Sequence, residues 1–251
     1  MKVFIINLKK SVERRLKMQS QMSALGLPFN FIEAVDGRSM SEDEIKKVTK
    51  SINYAFLPGE IGCALSHQLI YRKIVSEDIK SALILEDDIS ITKDTCSILE
   101  NINLSDNKPE VVLLSRVNKY LKKPIINITK KHSLHKTHQA TTTHSYLINK
   151  AAAASLLNGL YPIWMTADKW TLFEELSLLK TYCIIPHPVH LSDESISSTI
   201  NYSKGNDALN RRKKETWGQL MSKRSLKTKL KHRYRRAIVP IFNKIVDQGK
   251  G

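Results

Sequence analysis

The first 35 residues constrain the fold of this chain more than any other stretch. VFIINL (3–8) is an apolar run of strand length, SVERRLKMQSQMSALG (11–26) reads as a helix opened by an N-capping Ser11 and closed by Gly26, and FNFIEAV (29–35) is a second strand. Strand, helix and strand joined by short links make a right-handed crossover, which lays the two strands parallel in one sheet. The fold class is therefore α/β. Binding groups in open sheets of this kind gather outside the C-terminal strand ends, where Asn7 and Asp36 stand.

A third strand carries more chemistry. In SALILEDDIS (81–90) four apolar residues run straight into Glu86, Asp87 and Asp88, as expected of a buried strand that emerges at a sheet edge. Three adjacent carboxylates repel one another, so a fold that holds them together supplies Lys and Arg or a divalent metal. A solvated cluster of strand-end acids is the plainer alternative. A helix opens at Pro58-Gly59 and runs to about Ser76. The N–H groups at its start favour anions, and Gly62 allows close approach. EVVLLS (110–115) is a fourth strand.

Residues 116–139 are rich in Lys and hold His132, His135 and His138. Residues three apart on extended chain face opposite sides, and the neighbouring lysines repel cations, so a mobile flap or exposed hairpin is expected rather than a metal site. TTTHSYLIN (141–149) reads as a strand leading into a helix, KAAAASLLNG (150–159), that Gly159 can end. Asp168 either caps a helix over 168–179 or, beside the aromatic faces of Trp164 and Trp170, serves as a general base. A short strand follows at 182–186, and then His187 and His190. Cys63, Cys96 and Cys183 are odd in number and widely spaced, which suggests reduced packing residues.

Of the 251 residues, those from 204 onward hold 15 Lys and Arg against 3 acids, and the first 203 hold 25 against 21. A body of 1–203 and a basic tail of 204–251 are expected. Leu226, Leu230, Ile238, Val239, Ile241 and Phe242 interleave with the tail's cations, a pattern that favours an anionic membrane surface over nucleic acid. VFII is too short for a transmembrane helix or a secretory signal. The expectation is a cytoplasmic protein, peripheral on the inner face of the cytoplasmic membrane.

INLKKSVERR near the start, FIEAVDGR (31–38), GEIGCALSHQLIYRKI (59–74), LILEDDISI (83–91) and SYLIN (145–149) resemble, in this order, the bacterial glycosyltransferase family 25. The resemblance implies a GT-A type fold with a Rossmann-like mixed sheet flanked by helices. It also implies a UDP-sugar donor, a Mn or Mg ion at the acidic motif, and an inverting hexosyl transfer, galactose first, to lipooligosaccharide or a similar lipid-linked glycan. Alternate side chains of an extended segment point the same way, so Glu86 and Asp88 face the site and Asp87 faces elsewhere. Asp88 is the expected metal ligand, with His190 completing the shell, and Glu86 serves the donor ribose or a bound water.

Arg14 and Arg15 offer guanidinium forks for phosphate, although one of them suits a solvated helix face. Asn7, Asp36 and Gly62 complete the expected donor site. His67, in the Ser-His pair, is donor-binding or structural, and Asp168, although Thr166-Ala167 departs from the family pattern before it, is the expected base. Rival readings are a nucleic-acid-binding protein that uses the tail and a metal-dependent nucleotidyltransferase that uses the triplet.

Overall fold

The computed structural model describes residues 1–192 and 207–249. Strand β1 (Lys2–Asn7) pairs in parallel with β2 (Asn30–Glu33) on one side and with β3 (Ser81–Glu86) on the other. Helix α1 (Val12–Ala24) makes the crossover and ends where Gly26 takes φ +64°, in the left-handed region that suits glycine. The side chain of Ser11 makes no cap bond. A short α2 (Glu42–Val48) opens on a reciprocal cap between Ser41 and Glu44.

A core forms on each face of the sheet because alternate residues of a strand face opposite sides. Phe4, Ile6, Ala82 and Ile84 pack with Ile70 and Ile74 of α3 (Pro58–Ser76) and with Ala152 and Leu156 of α5 (Lys150–Leu160). Val3, Ile5, Leu83 and Leu85 pack on the other side with Met18 and Met22 of α1 and Ile98 of α4 (Asp94–Asn101). Helices therefore cover both faces.

The sheet is mixed. Its remaining strands are β5 (Glu110–Leu113), β6 (Lys119–Asn127), β7 (Ser133–Gln139), β8 (Ser145–Asn149), β9 (Lys180–Ile185) and β11 (Ile245–Asp247). Among the described residues the order is β11-β6-β7-β9-β5-β8-β3-β1-β2. β8 runs antiparallel to both β3 and β5, whereas β5 and β9 are parallel. A separate ribbon joins β4 (Ile89–Ile91) to β10 (Val189–Leu191).

Three expectations change. The segment 116–139 is a hairpin, but β7 lies inside the sheet between β6 and β9, and His132, His135 and His138 are buried. His135 shows why: its ring meets the Leu121 carbonyl and the Ser133 hydroxyl and lies edge-on to Tyr120. Helix α5 does not stop at Gly159, where a Cβ would come within 2.8 Å of the Leu178 side chain; the bare backbone makes room for that leucine. Helix α6 (Trp170–Glu175) is shorter than expected and is not capped by Asp168.

The basic C-terminal segment packs on the body. A boundary after residue 203 lies outside the described residues, but α7 (Asp207–Ser222), α8 (Leu226–Arg233), a π-helical turn (Tyr234–Ile238) and β11 all bond to or pack on the body, with α9 (Val239–Phe242) between the last two. Trp217, Leu220 and Met221 pack against the main core, and β11 extends the sheet by pairing antiparallel with β6. The buried Glu175 carboxylate meets Arg224 at 3.3 Å, His232 at 2.9 Å and Arg235 at 2.8 Å. Repulsion among so many cations favours a loose tail, but the body supplies buried acids that hold it. No helix among the described residues is long and apolar enough to cross a membrane.

Candidate active site

A cleft of about 510 Å³ opens where β1 and β3 end, and Arg14, Asp36, Glu86, Asp87, Asp88, His144 and Asp168 line it. Antiparallel pairing sets its centre. Because β8 runs against β3, the residue before β8 meets the last residue of β3, and the Glu86 N–H donates to the His144 carbonyl. The same approach puts His144 Nδ1 3.2 Å from Glu86 Oε2 and 3.7 Å from Asp88 Oδ1. Upstream, Trp170 Nε1 donates to the Thr142 carbonyl at 2.6 Å and Thr143 donates to Glu86 at 2.5 Å, which fixes the segment that carries His144.

The electrostatics follow from this crowding. Burial opposes charge on His144, but the carboxylates of Asp88 and Glu86 outweigh it and raise the pKa to about 10. Burial likewise opposes charge on Glu86, yet His144 and His67 hold it well below the usual carboxylate range. Asp88 Oδ1 is buried without a hydrogen-bond partner. Donor atoms of Glu86, Asp88 and His144 lie within 4.8 Å of one another.

The His144 imidazolium balances these two carboxylates here; a hard divalent cation fits the same three groups once it displaces that proton, and the Asp88 oxygen without a hydrogen bond is the atom such an ion would satisfy. Cys63, His67 and Glu86 also approach one another, but burial pushes the Cys63 thiol well up and His67 Nδ1 is taken by the Tyr146 hydroxyl at 2.7 Å.

The remaining expected residues divide. Asp87 does not face away from the cleft; it takes hydrogen bonds from Asn7 Nδ2 at 2.7 Å and Arg14 at 3.2 Å, so it holds the strand-end loop and the one arginine that lines the cleft from α1. Asn7, almost wholly buried, positions Asp87 and does not reach the cleft. Arg15 is the solvated one, stacked over Phe31 at 3.9 Å. Asp36 lines the rim, paired with Lys10, whose hydrogen bond lowers its pKa. His67, 1% exposed, sits in a buried network with Tyr146 and Tyr71. His190 is exposed on β10 opposite Ser90 and is absent from the cleft lining. The histidine beside Asp88 is His144.

Gly62 is a packing residue. A Cβ there would meet the Val35 carbonyl at 2.4 Å and the Gly37 nitrogen at 2.7 Å, so the bare backbone lets the loop after β2 lie on α3. Gly62→Ala is expected to cost about 1–3 kcal/mol by overpacking. Thermal unfolding should report that loss, with donor KM unchanged in the folded fraction; a raised KM at unchanged stability would restore a donor-binding role.

Asp168 lines the cleft, where its carboxylate accepts from Thr166 Oγ1 at 2.5 Å and from Lys169 Nζ at 3.0 Å. The tryptophans beside it are not free to stack on a sugar: Trp170 is fully buried, and Trp164 donates Nε1 to the Gly159 carbonyl under the Lys50 ammonium.

Glu60 forms another wall of the cleft. Its carboxylate accepts from the Leu57 N–H and from Lys213 Nζ at 2.6 Å, so α7 braces the first turn of α3 and the anion site expected there already holds a carboxylate of the chain.

The family model described as glycosyltransferase family 25 (LPS biosynthesis protein) matches residues 1–171, the stretch that supplies all these cleft residues. The chain belongs to glycosyltransferase family 25. A glycosyltransferase 25 family member of Aedes aegypti is 40% identical over 100 residues, 35% of this chain and 16% of that protein. Procollagen galactosyltransferase 2 of Homo sapiens is 24% identical over 172 residues, 62% of this chain and 27% of that protein. The matches thus span about a quarter or less of these longer relatives. Among solved structures, a glycosyltransferase involved in glycosylation of the major capsid of PBCV-1 aligns at 13% identity and a TM-score of 0.31, over 61% of this chain and 63% of that one.

Proposed function

We propose that this member of glycosyltransferase family 25 transfers a hexose, galactose first, from a UDP-sugar to a glycan hydroxyl with inversion. The carrying observation is the Glu86, Asp88 and His144 cluster facing Asp168 across one cleft within the matched residues. Support for galactose comes from the galactosyltransferase names of the relatives, and for a lipooligosaccharide or similar surface-glycan acceptor from the family description.

Glu86, Asp88 and His144 would hold a Mn or Mg ion, which supplies charge neutralisation to a leaving diphosphate. Arg14, fixed by Asp87, adds a guanidinium charge on the side of α1, which would favour a diphosphate there. Asp168 would accept the proton of the acceptor hydroxyl as it attacks the anomeric carbon. Thr166 and Lys169 hold that carboxylate in one orientation.

A panel of UDP-sugars with Mn or Mg tests the reading, because slow donor hydrolysis needs no acceptor. UDP release from one sugar above the others is expected, and no release from any of them overturns the proposal. Asp168→Asn should lower transfer to acceptor by at least about a hundredfold while UDP binding changes little. A loss below about tenfold, only about 1.4 kcal/mol of barrier, would remove Asp168 from the chemistry.

A further inference from the structure

The helical segment from 226 to 242 is built inside out. Its polar residues face the protein: Thr228 is 5% exposed, Lys231 donates to the Ser177 hydroxyl at 2.6 Å, and His232 and Arg235 meet Glu175 at 2.9 Å. Its apolar residues face out. Leu226, Leu230, Tyr234 and Ile238 recur every fourth position, and Ile241 and Phe242 continue the stripe, with Leu226 at 78% and Phe242 at 79% exposed. Ile125 and Ile126 of β6, more than half exposed, lie on the hairpin that carries β11. Water alone selects the opposite arrangement, since apolar side chains gain stability when they are covered.

The surrounding charges identify what covers it. Lys227, Arg233 and Arg236 on the helices and Lys122, Lys123 and Lys244 at the sheet edge are exposed. The last three, with Phe242 and Asn243, line a shallow concavity at the end of the stripe. The Lys122 N–H donates to the Lys244 carbonyl at 2.8 Å, which fixes the two sides of that concavity together. An apolar ridge set among cations matches a surface with an acyl interior and anionic phosphates. A second copy of this chain would bring the same cations face to face, and nucleic acid would leave the aliphatic ridge against water.

We propose that this face docks on an anionic lipid bilayer, with Leu226, Leu230, Tyr234, Ile241 and Phe242 entering the interface and Lys122, Lys123 and Lys244 receiving a lipid phosphate. The ion pairs to Glu175 and the β6–β11 pairing make the docking face rigid with the sheet, so the bilayer holds the whole domain in one orientation. This differs from a flexible electrostatic tether. Binding therefore has an apolar part that salt does not screen and a cationic part that it does.

Co-sedimentation with vesicles of phosphatidylcholine, alone or mixed with phosphatidylglycerol, tests the proposal on the full chain without any turnover assay. The full chain is expected to sediment with the anionic vesicles and to be only partly released by high salt. Combined Leu226→Ser, Leu230→Ser and Phe242→Ser, all at exposed positions, should weaken binding by at least about a hundredfold with the circular dichroism spectrum unchanged. Lys122→Glu with Lys123→Glu should remove the preference for phosphatidylglycerol. Equal sedimentation of the serine variant, no sedimentation of the full chain, a dimer in analytical ultracentrifugation that the serine variant breaks, or an RNA gel shift that it abolishes would each overturn the proposal.

Discussion

Asp88→Asn is expected to lower Mn-stimulated UDP release by on the order of a thousandfold or more, about 4 kcal/mol of barrier, and to leave the protein folded with some stability lost. The substitution keeps the volume and removes the charge. The Oδ1 atom of Asp88 is buried without a hydrogen bond and attracts the His144 imidazolium 3.7 Å away, so the amide gives up that attraction but no hydrogen bond at this atom. A cation gains a great deal, because hard ions bind anionic oxygen far better than an amide. His144→Ala should act on the same ion, with weaker Mn binding in a paramagnetic-relaxation titration that needs no donor. Asp87→Asn should instead lower stability, since Asp87 serves Asn7 and Arg14. Full activity in Asp88→Asn, or loss of folding in it, would refute the assignment.

His144 shows where the sequence stopped being legible. The parallel β1, β2 and β3 unit followed from short links and apolar runs, and with it the place of the acid triplet. TTTHSYLIN was readable as a strand, but its direction was not. In an all-parallel sheet the residue before a strand lies at the edge opposite the acids; antiparallel pairing with β3 puts His144 beside them. Direction depends on which strand is the neighbour in space, and β8 joins β3 and β5 from a distance in sequence.

Asp87 failed for a related reason. The alternation that turns it away from Glu86 holds within a strand, and β3 ends at Glu86, so the two residues after it follow the loop. Residues 116–139 were legible as a flap or an exposed hairpin. The burial of β7 was not, because the strand that pairs with it on its other side comes from residues 180–185.

Lys213→Met is expected to cost about 3 kcal/mol of stability, and removal of residues 207–249 to cost the folded domain. Charge counting alone makes both changes harmless, because this segment carries most of the net charge and lies beyond the family-like motifs. Packing reverses that. The Lys213 side chain is 9% exposed and the Glu60 side chain 3%, with both carboxylate oxygens at 2.6 Å from the ammonium, and the lysine lies over the Tyr54 and Phe56 rings.

Removing the ammonium takes the nearest cation from a carboxylate that water cannot reach, and the same carboxylate caps the first turn of α3. Pairing the change with Glu60→Gln should return most of the loss, since an amide is far less costly to bury than a carboxylate from which the Lys213 cation has been taken. Urea unfolding of the single and double variants measures this coupling. A single-variant loss below about 1 kcal/mol would place the pair in the range of exposed ion pairs and make α7 an accessory of α3 instead of its brace.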